Sequence, residues 1–182
     1  MNDTGLSPDL RRRAEQLEWL LLDVDGVLTD GTIFMSHRGE TVKAFNVKDG
    51  LGIRVAREAG LKIGILSARR SQALERRASQ LGIDLLMSGQ EDKGGAFDRF
   101  LDQQATTAGR VAYIGDDLND LAVLGRCALS FAPADAVAEV RAVVHVVLPA
   151  RGGRGAVRQM IEQILEARGD WKHALSAFSL EP

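Results

Sequence analysis

The chain has 182 residues, 45% of them hydrophobic and 26% charged, the make-up of one globular domain with a sizeable core. Its 23 Lys and Arg against 25 Asp and Glu leave a formal charge of -2, so no basic field points to nucleic acid or to a membrane surface. The single cysteine, Cys127, excludes an internal disulfide, and no stretch approaches the roughly 20 apolar residues of a membrane span.

From the amino end, residues 1–17 read as a polar lead-in or first helix with an Arg11-Arg12-Arg13 cluster. They lack the apolar core of a signal peptide, so the cytoplasm is the expected location. An apolar strand follows from Leu20 and runs into Asp23, Asp25 and Gly26. The β-rich segments 32–35 and 41–45, joined through Ser36 to Glu40, predict a hairpin flap over 32–45. Leu51, Val55 and Ala59 set a helix over 49–59 that stops at Gly60. A strand over 62–66 ends at Ser67, a helix over 71–81 closes on Gly82, and 84–87 is a short strand.

Phe97, Phe100 and Leu101 mark a helix over 93–104, after which 110–114 is a strand ending at Gly115-Asp116-Asp117 and 118–124 a helix. Residues 128–131 and 142–147 read as two more strands around a small helix at 135–140, and 155–167 as a closing amphipathic helix. The tail, 170–182, carries Trp171 and Phe178 in no pattern that can be mapped. Strands alternating with helices through short links predict an α/β fold: a doubly wound parallel sheet, helices on both faces, in one domain spanning 1–182.

Ligands of such sheets sit outside the carboxyl ends of the strands. Asp23 and Asp25 end the first strand, Ser67 the next, Asp116 and Asp117 a later one, and Lys93 opens the helix after the short strand. A buried strand tolerates acids only with a cation or a reaction to serve. Clustered carboxylates suit Mg²⁺ with its hard oxygen ligands, and a hydroxyl and an ammonium beside it suit phosphoryl oxygens.

Asp23-Val-Asp-Gly, Ser67, Lys93 and Gly115-Asp-Asp-Leu-Asn-Asp120, in that order, resemble the motifs of the haloacid dehalogenase-like phosphohydrolases. The resemblance implies that Asp23 attacks phosphorus to form an aspartyl-phosphate. Asp25 serves as acid and then base, Ser67 donates to the phosphate, and Lys93 holds Asp23 and the phosphate together. It implies Mg²⁺ on the Asp23 carboxylate, the Asp25 main-chain carbonyl and Asp116, with Asp117 and Asp120 behind them. With only a hairpin at 32–45 and no room between Met87 and Lys93, a capless member is implied, roofed by neighbouring subunits as a homotetramer through the flap.

Lys43 to Gly50 and Gly152 to Arg158 further resemble the branch of that family acting on phosphorylated eight-carbon sugar acids of lipopolysaccharide. A nine-carbon nonulosonate phosphate is the alternative substrate, and a non-catalytic assembly domain the alternative of another class. A sugar acid brings a carboxylate, which Lys48, Arg69, Arg151 or Arg154 could meet, Arg bidentately. Asn46, Asp49 and Gly50 could bind sugar hydroxyls, although Asp49 is equally placed to cap the following helix. Ser67-Ala-Arg-Arg departs from the expected Thr-Gly-Arg-Lys but keeps the hydroxyl and first Arg. His37, His145 and His173 form no cluster, which disfavours a transition-metal site.

Overall fold

The computed structural model describes residues 6–37, 39–176 and 178. The remainder of the lead-in, Arg38 at the flap tip and the end of the tail lie outside the described residues.

Six parallel strands form the main sheet: β1 (Trp19–Leu22), β4 (Lys62–Ser67), β5 (Leu85–Ser88), β6 (Val111–Ile114), β7 (Leu129–Ala132) and β8 (Val146–Val147). Their order is β5-β4-β1-β6-β7-β8. β1 is thus central, in register with Lys62–Ile65 on one side and Val111–Ile114 on the other. The chain turns first to one side of β1 and later to the other, so the crevice at its carboxyl end is the topological switch point.

β1 is apolar throughout because both faces are covered. Leu20 and Leu22 pack with Ile63, Ile65 and Ile114 against α2 (Val47–Glu58), α3 (Gln72–Leu81) and α7 (Ala156–Arg168). Trp19 and Leu21 face the other way, with Tyr113, against Phe97 and Phe100 of α4 (Lys93–Gln103). Trp19 meets Phe100 edge-on at 5.1 Å.

The flap is a separate antiparallel hairpin, β2 (Phe34–Ser36) and β3 (Gly39–Val42), with a register shift at Phe34/Met35. α2 starts earlier than the spacing predicts, because Asn46 rather than Asp49 accepts from the Lys48 N–H as its cap. Gly60, at φ +82°, ends it in the expected way. The strand expected over 142–147 shrinks to two residues. α6 (Ala138–Arg141) runs later than expected, and Ala142 and Val144 hydrogen-bond back to Ala138 and Val140, which keeps this stretch from strand pairing. α1 (Pro8–Glu15) is capped by Ser7, and α8 (Trp171–Ser176) lies on the domain's own surface with Arg158 over the Trp171 ring. Between the strands stands a two-turn segment, a 3₁₀ turn at Leu118–Asp120 running into α5 (Leu121–Leu124).

Among the described residues no helix is long and apolar enough to cross a membrane.

Candidate active site

Asp23 follows β1 directly and extends its ladder, its N–H donating to Ile114 O at 3.1 Å. Its side chain stays 8% exposed. Gly26, at φ +88°, then turns the chain away, and a Cβ there would fall inside the Asp116 carboxylate. Glycine is therefore required for the first and fourth motifs to touch.

Lys93 opens α4 with its ammonium buried between two acids, 2.8 Å from Asp23 Oδ1 and 2.6 Å from Asp120 Oδ1. Burial works against that ammonium, but the two carboxylates outweigh it and hold its pKa above the ordinary value. Asp120 is saturated. Its Oδ1 also accepts from the Tyr113 hydroxyl, and its Oδ2 takes the Asp116 and Asp117 N–H groups at 2.9 and 3.2 Å. It locks the Gly115–Asp120 turn and aims Lys93 at Asp23, with little left over for a ligand.

Asp23, Asp116 and Asp120 each bring an oxygen within 4.8 Å of the others. Asp116 Oδ1 is buried with no hydrogen-bond partner. Burial, then repulsion between these carboxylates, pushes Asp23 up to about 7 and Asp116 to about 8. An unpartnered buried oxygen beside crowded carboxylates is a site with positive charge missing. With Asp120 saturated, Asp23 and Asp116 are the free oxygen donors, and hard oxygen donors fit Mg²⁺.

A cavity of about 130 Å³ lies over them, lined by Asp23, Asp25, Ser67, Ala68, Arg69, Asp116, Asp117 and Asn119. The structure thus brings together Asp23, Asp25, Ser67, Arg69, Asp116 and Asp117 at one opening, with Lys93 and Asp120 beneath. Ser67 ends β4 with its hydroxyl 3.2 Å from Arg69 O.

The other basic residues lie elsewhere. Arg151 and Arg154 are exposed, facing Asp135 at 3.1 Å and Asp30 at 3.6 Å around a neighbouring depression of about 300 Å³. Lys48 is exposed on the first turn of α2 and lines neither. Asn46 donates to Gly153 O at 3.2 Å besides capping α2. Asp49 is buried inside α2, and its carboxylate accepts from Gly155 N and Arg158 N at 3.3 and 2.8 Å, so the helix it caps is α7. Gly50 packs against Arg77, whose guanidinium occupies the place a Cβ would take.

Sequence reasoning missed Tyr113, Asn119, Glu40 and Lys43. A tyrosine inside a buried strand must satisfy its hydroxyl, and that signal was available at Tyr113. Lys43, on the flap, ion-pairs with Asp25, and no spacing rule reaches across those 18 residues.

Residues 83–161 match the model of the haloacid dehalogenase-like hydrolase family. The chain is 42% identical over 160 residues to 3-deoxy-D-manno-octulosonate 8-phosphate phosphatase of Haemophilus influenzae, covering 88% of this chain and 89% of that protein. The crystal structure of the phosphatase of that name from Yersinia pestis superposes with a TM-score of 0.88 at 42% identity, covering 92% of this chain and 90% of the other. The phosphatase of that name from Moraxella catarrhalis, in complex with a magnesium ion, a phosphate ion and a KDO molecule, gives 0.91 at 32% identity over 96% and 100% of the two chains.

Proposed function

Because this chain belongs to the haloacid dehalogenase-like hydrolases, we propose that it hydrolyses 3-deoxy-D-manno-octulosonate 8-phosphate to the free sugar acid and phosphate, in the lipopolysaccharide inner-core route and in the cytoplasm. It is a phosphoric monoester hydrolase that uses Mg²⁺. The observation that carries the reading is the buried Lys93 ammonium bridging Asp23 and Asp120 under an open cavity, with Asp116 Oδ1 left without a hydrogen bond beside it.

In this reading Asp23 attacks phosphorus along the open side of the cavity and forms the aspartyl-phosphate. Lys93 stays between Asp23 and Asp120, offsetting the negative charge that gathers when a phosphate approaches a carboxylate. Asp25 protonates the departing sugar oxygen and then takes the proton of the water that cleaves the acyl phosphate. Ser67 and the Arg69 side chain line the phosphate's entrance. Mg²⁺ would be held by the carboxylates of Asp23 and Asp116 and the Asp25 carbonyl, and supplies positive charge at the transferring phosphoryl oxygens. Asp117 and Asp120 hold the turn that presents Asp116.

The flap leaves Phe34, Met35 and Val42 48%, 65% and 54% exposed, an apolar face that supports assembly through the flap into a homotetramer. The complete set Asp23, Asp25, Lys93 and Asp116 speaks for catalysis over a purely assembling role.

The test is phosphate release with Mg²⁺ from eight- and nine-carbon sugar acid phosphates, with a chelator control and the Asp23→Asn variant. Preference for the eight-carbon ester, lost in chelator and in the variant, is expected. A faster nine-carbon ester overturns the substrate, and a turning-over Asp23→Asn overturns the nucleophile.

A further inference from the structure

Asp25 closes a ring with Glu40, Lys43 and Arg69. Lys43 Nζ pairs with Asp25 Oδ1 and stands 3.3 Å from Glu40 Oε1; Arg69 Nε stands 3.6 Å from Glu40 Oε2 and 4.0 Å from Asp25 Oδ2. Glu40 belongs to β3 and Lys43 follows it directly, so half of the ring is carried by the flap. The Lys43 side chain is 2% exposed and Glu40's 10%, unlike a surface ion pair. A buried lysine so held has little rotamer freedom, and the contact fixes the carboxylate it meets.

We propose that Lys43, backed by Glu40, is a positioning residue: it takes Asp25 Oδ1, so that Oδ2, on the side of Arg69, is the atom left to handle the proton. The inference rests on the acid and base role given to Asp25 above. In the first half-reaction Asp23 forms its bond to phosphorus, the sugar ester bond breaks, and the proton on Asp25 Oδ2 goes to the departing oxygen. Asp25 is left as a carboxylate, with Oδ1 still on Lys43. In the second half, the water oxygen bonds to phosphorus, the Asp23 bond breaks, and the water's proton returns to Oδ2. Atoms and charge balance over the cycle, and Lys43 itself exchanges nothing. The flap then reaches the chemistry directly: moving β3 moves Lys43, and with it Asp25.

Acid assistance matters for a sugar alkoxide and hardly at all for an aryl leaving group that departs without a proton. The experiment measures kcat/KM of wild type, Lys43→Met, Lys43→Arg and Asp25→Asn with 3-deoxy-D-manno-octulosonate 8-phosphate and with 2,4-dinitrophenyl phosphate, at saturating Mg²⁺, with melting temperatures alongside. Lys43→Met should lose on the order of 10²-fold on the sugar ester and under about threefold on the aryl ester, following Asp25→Asn in pattern. Lys43→Arg should recover most of the sugar-ester rate. If Lys43→Met does not fold, Lys43→Gln, which keeps a polar end and removes the charge, must give the same split. Equal losses on both esters, or none, while Asp25→Asn keeps the split, overturn the inference alone. An Asp25→Asn variant without the split overturns the acid role beneath it.

Discussion

Replacing Lys93 by Met removes the ammonium while keeping the volume of the side chain, so no cavity contributes. Two charge-assisted hydrogen bonds go with it, to Asp23 at 2.8 Å and to Asp120 at 2.6 Å. Each is worth about 1.5–3 kcal/mol net, but they matter in different pH ranges. In the metal-free protein burial and the neighbouring acids push Asp23 up to about 7, with Lys93 opposing them. Below that, Asp23 keeps its proton with or without Lys93, and the variant loses chiefly the Asp120 bond, about 1.5–3 kcal/mol.

Above that value the wild type releases the proton, whereas the variant, lacking the ammonium, holds it longer. The folded variant then binds more protons than the folded wild type, and its stability falls more steeply with pH. By pH 9 the deficit should reach about 3–6 kcal/mol, both bonds counted. At about 2–4 °C per kcal/mol for a chain of this size, the melting temperature should drop by about 3–12 °C at pH 6 and by about twice as much at pH 9. Thermal unfolding of both proteins in chelator across that range is the assay. A deficit that is absent, or the same at both ends, refutes the placement of the charge.

In the wild type, Asp23 and Asp116 are raised from 3.8 to about 7 and about 8, so folding without metal retains protons that the unfolded chain releases from about pH 4 upward. The stabilisation by saturating Mg²⁺ over chelator should therefore widen from pH 5 to pH 8, read from paired melts; a constant gap would contradict it. Gly26→Ala sets a methyl into the Asp116 carboxylate at a φ of +88°, and should weaken Mg²⁺ binding by tenfold or more in calorimetric titration, with about 1–3 kcal/mol of backbone strain in the melt. Unchanged Mg²⁺ affinity would show that Asp116 is not a ligand. Asp49→Ala uncaps α7 from another helix and should cost about 1–2 kcal/mol, whereas Asp49→Asn, which keeps an acceptor, should lose less; chemical denaturation decides, and equal losses would place the effect elsewhere.

The parallel sheet was legible because β1, β4 and β6 carry apolar runs ended by an acid, a serine and a glycine, and a period-free apolar run between helices admits few other readings. The acids were legible because a carboxylate at such an end conflicts with burial. Asp49 shows where this kind of reading stops. Its side chain serves a helix whose N-cap lies 106 residues later, and a local capping rule can name only the helix at hand. The shortened β8 has the same origin: Val143 to Val147 has strand composition, but Val144 N–H is taken by Val140 O, a contest that composition does not reveal. Lys43 and Glu40 escaped notice because charges on a hairpin ordinarily face water, and only the way the flap folds over Asp25 buries them.

The loop before α7 is wedged behind the turn that follows Asp23. Gly153 N–H donates to Val27 O at 2.8 Å, and a Cβ at Gly152 would overlap Gly26 O. The turn that aims Asp25 is therefore braced by residues made some 125 positions later, and β1 itself waits for β6, more than 90 positions on, to complete its pairing. Long-range closure of this kind is slow relative to local pairing. A chain ending short of Gly152 lacks the segment that braces the turn at Gly26, and it should be inert rather than partly active.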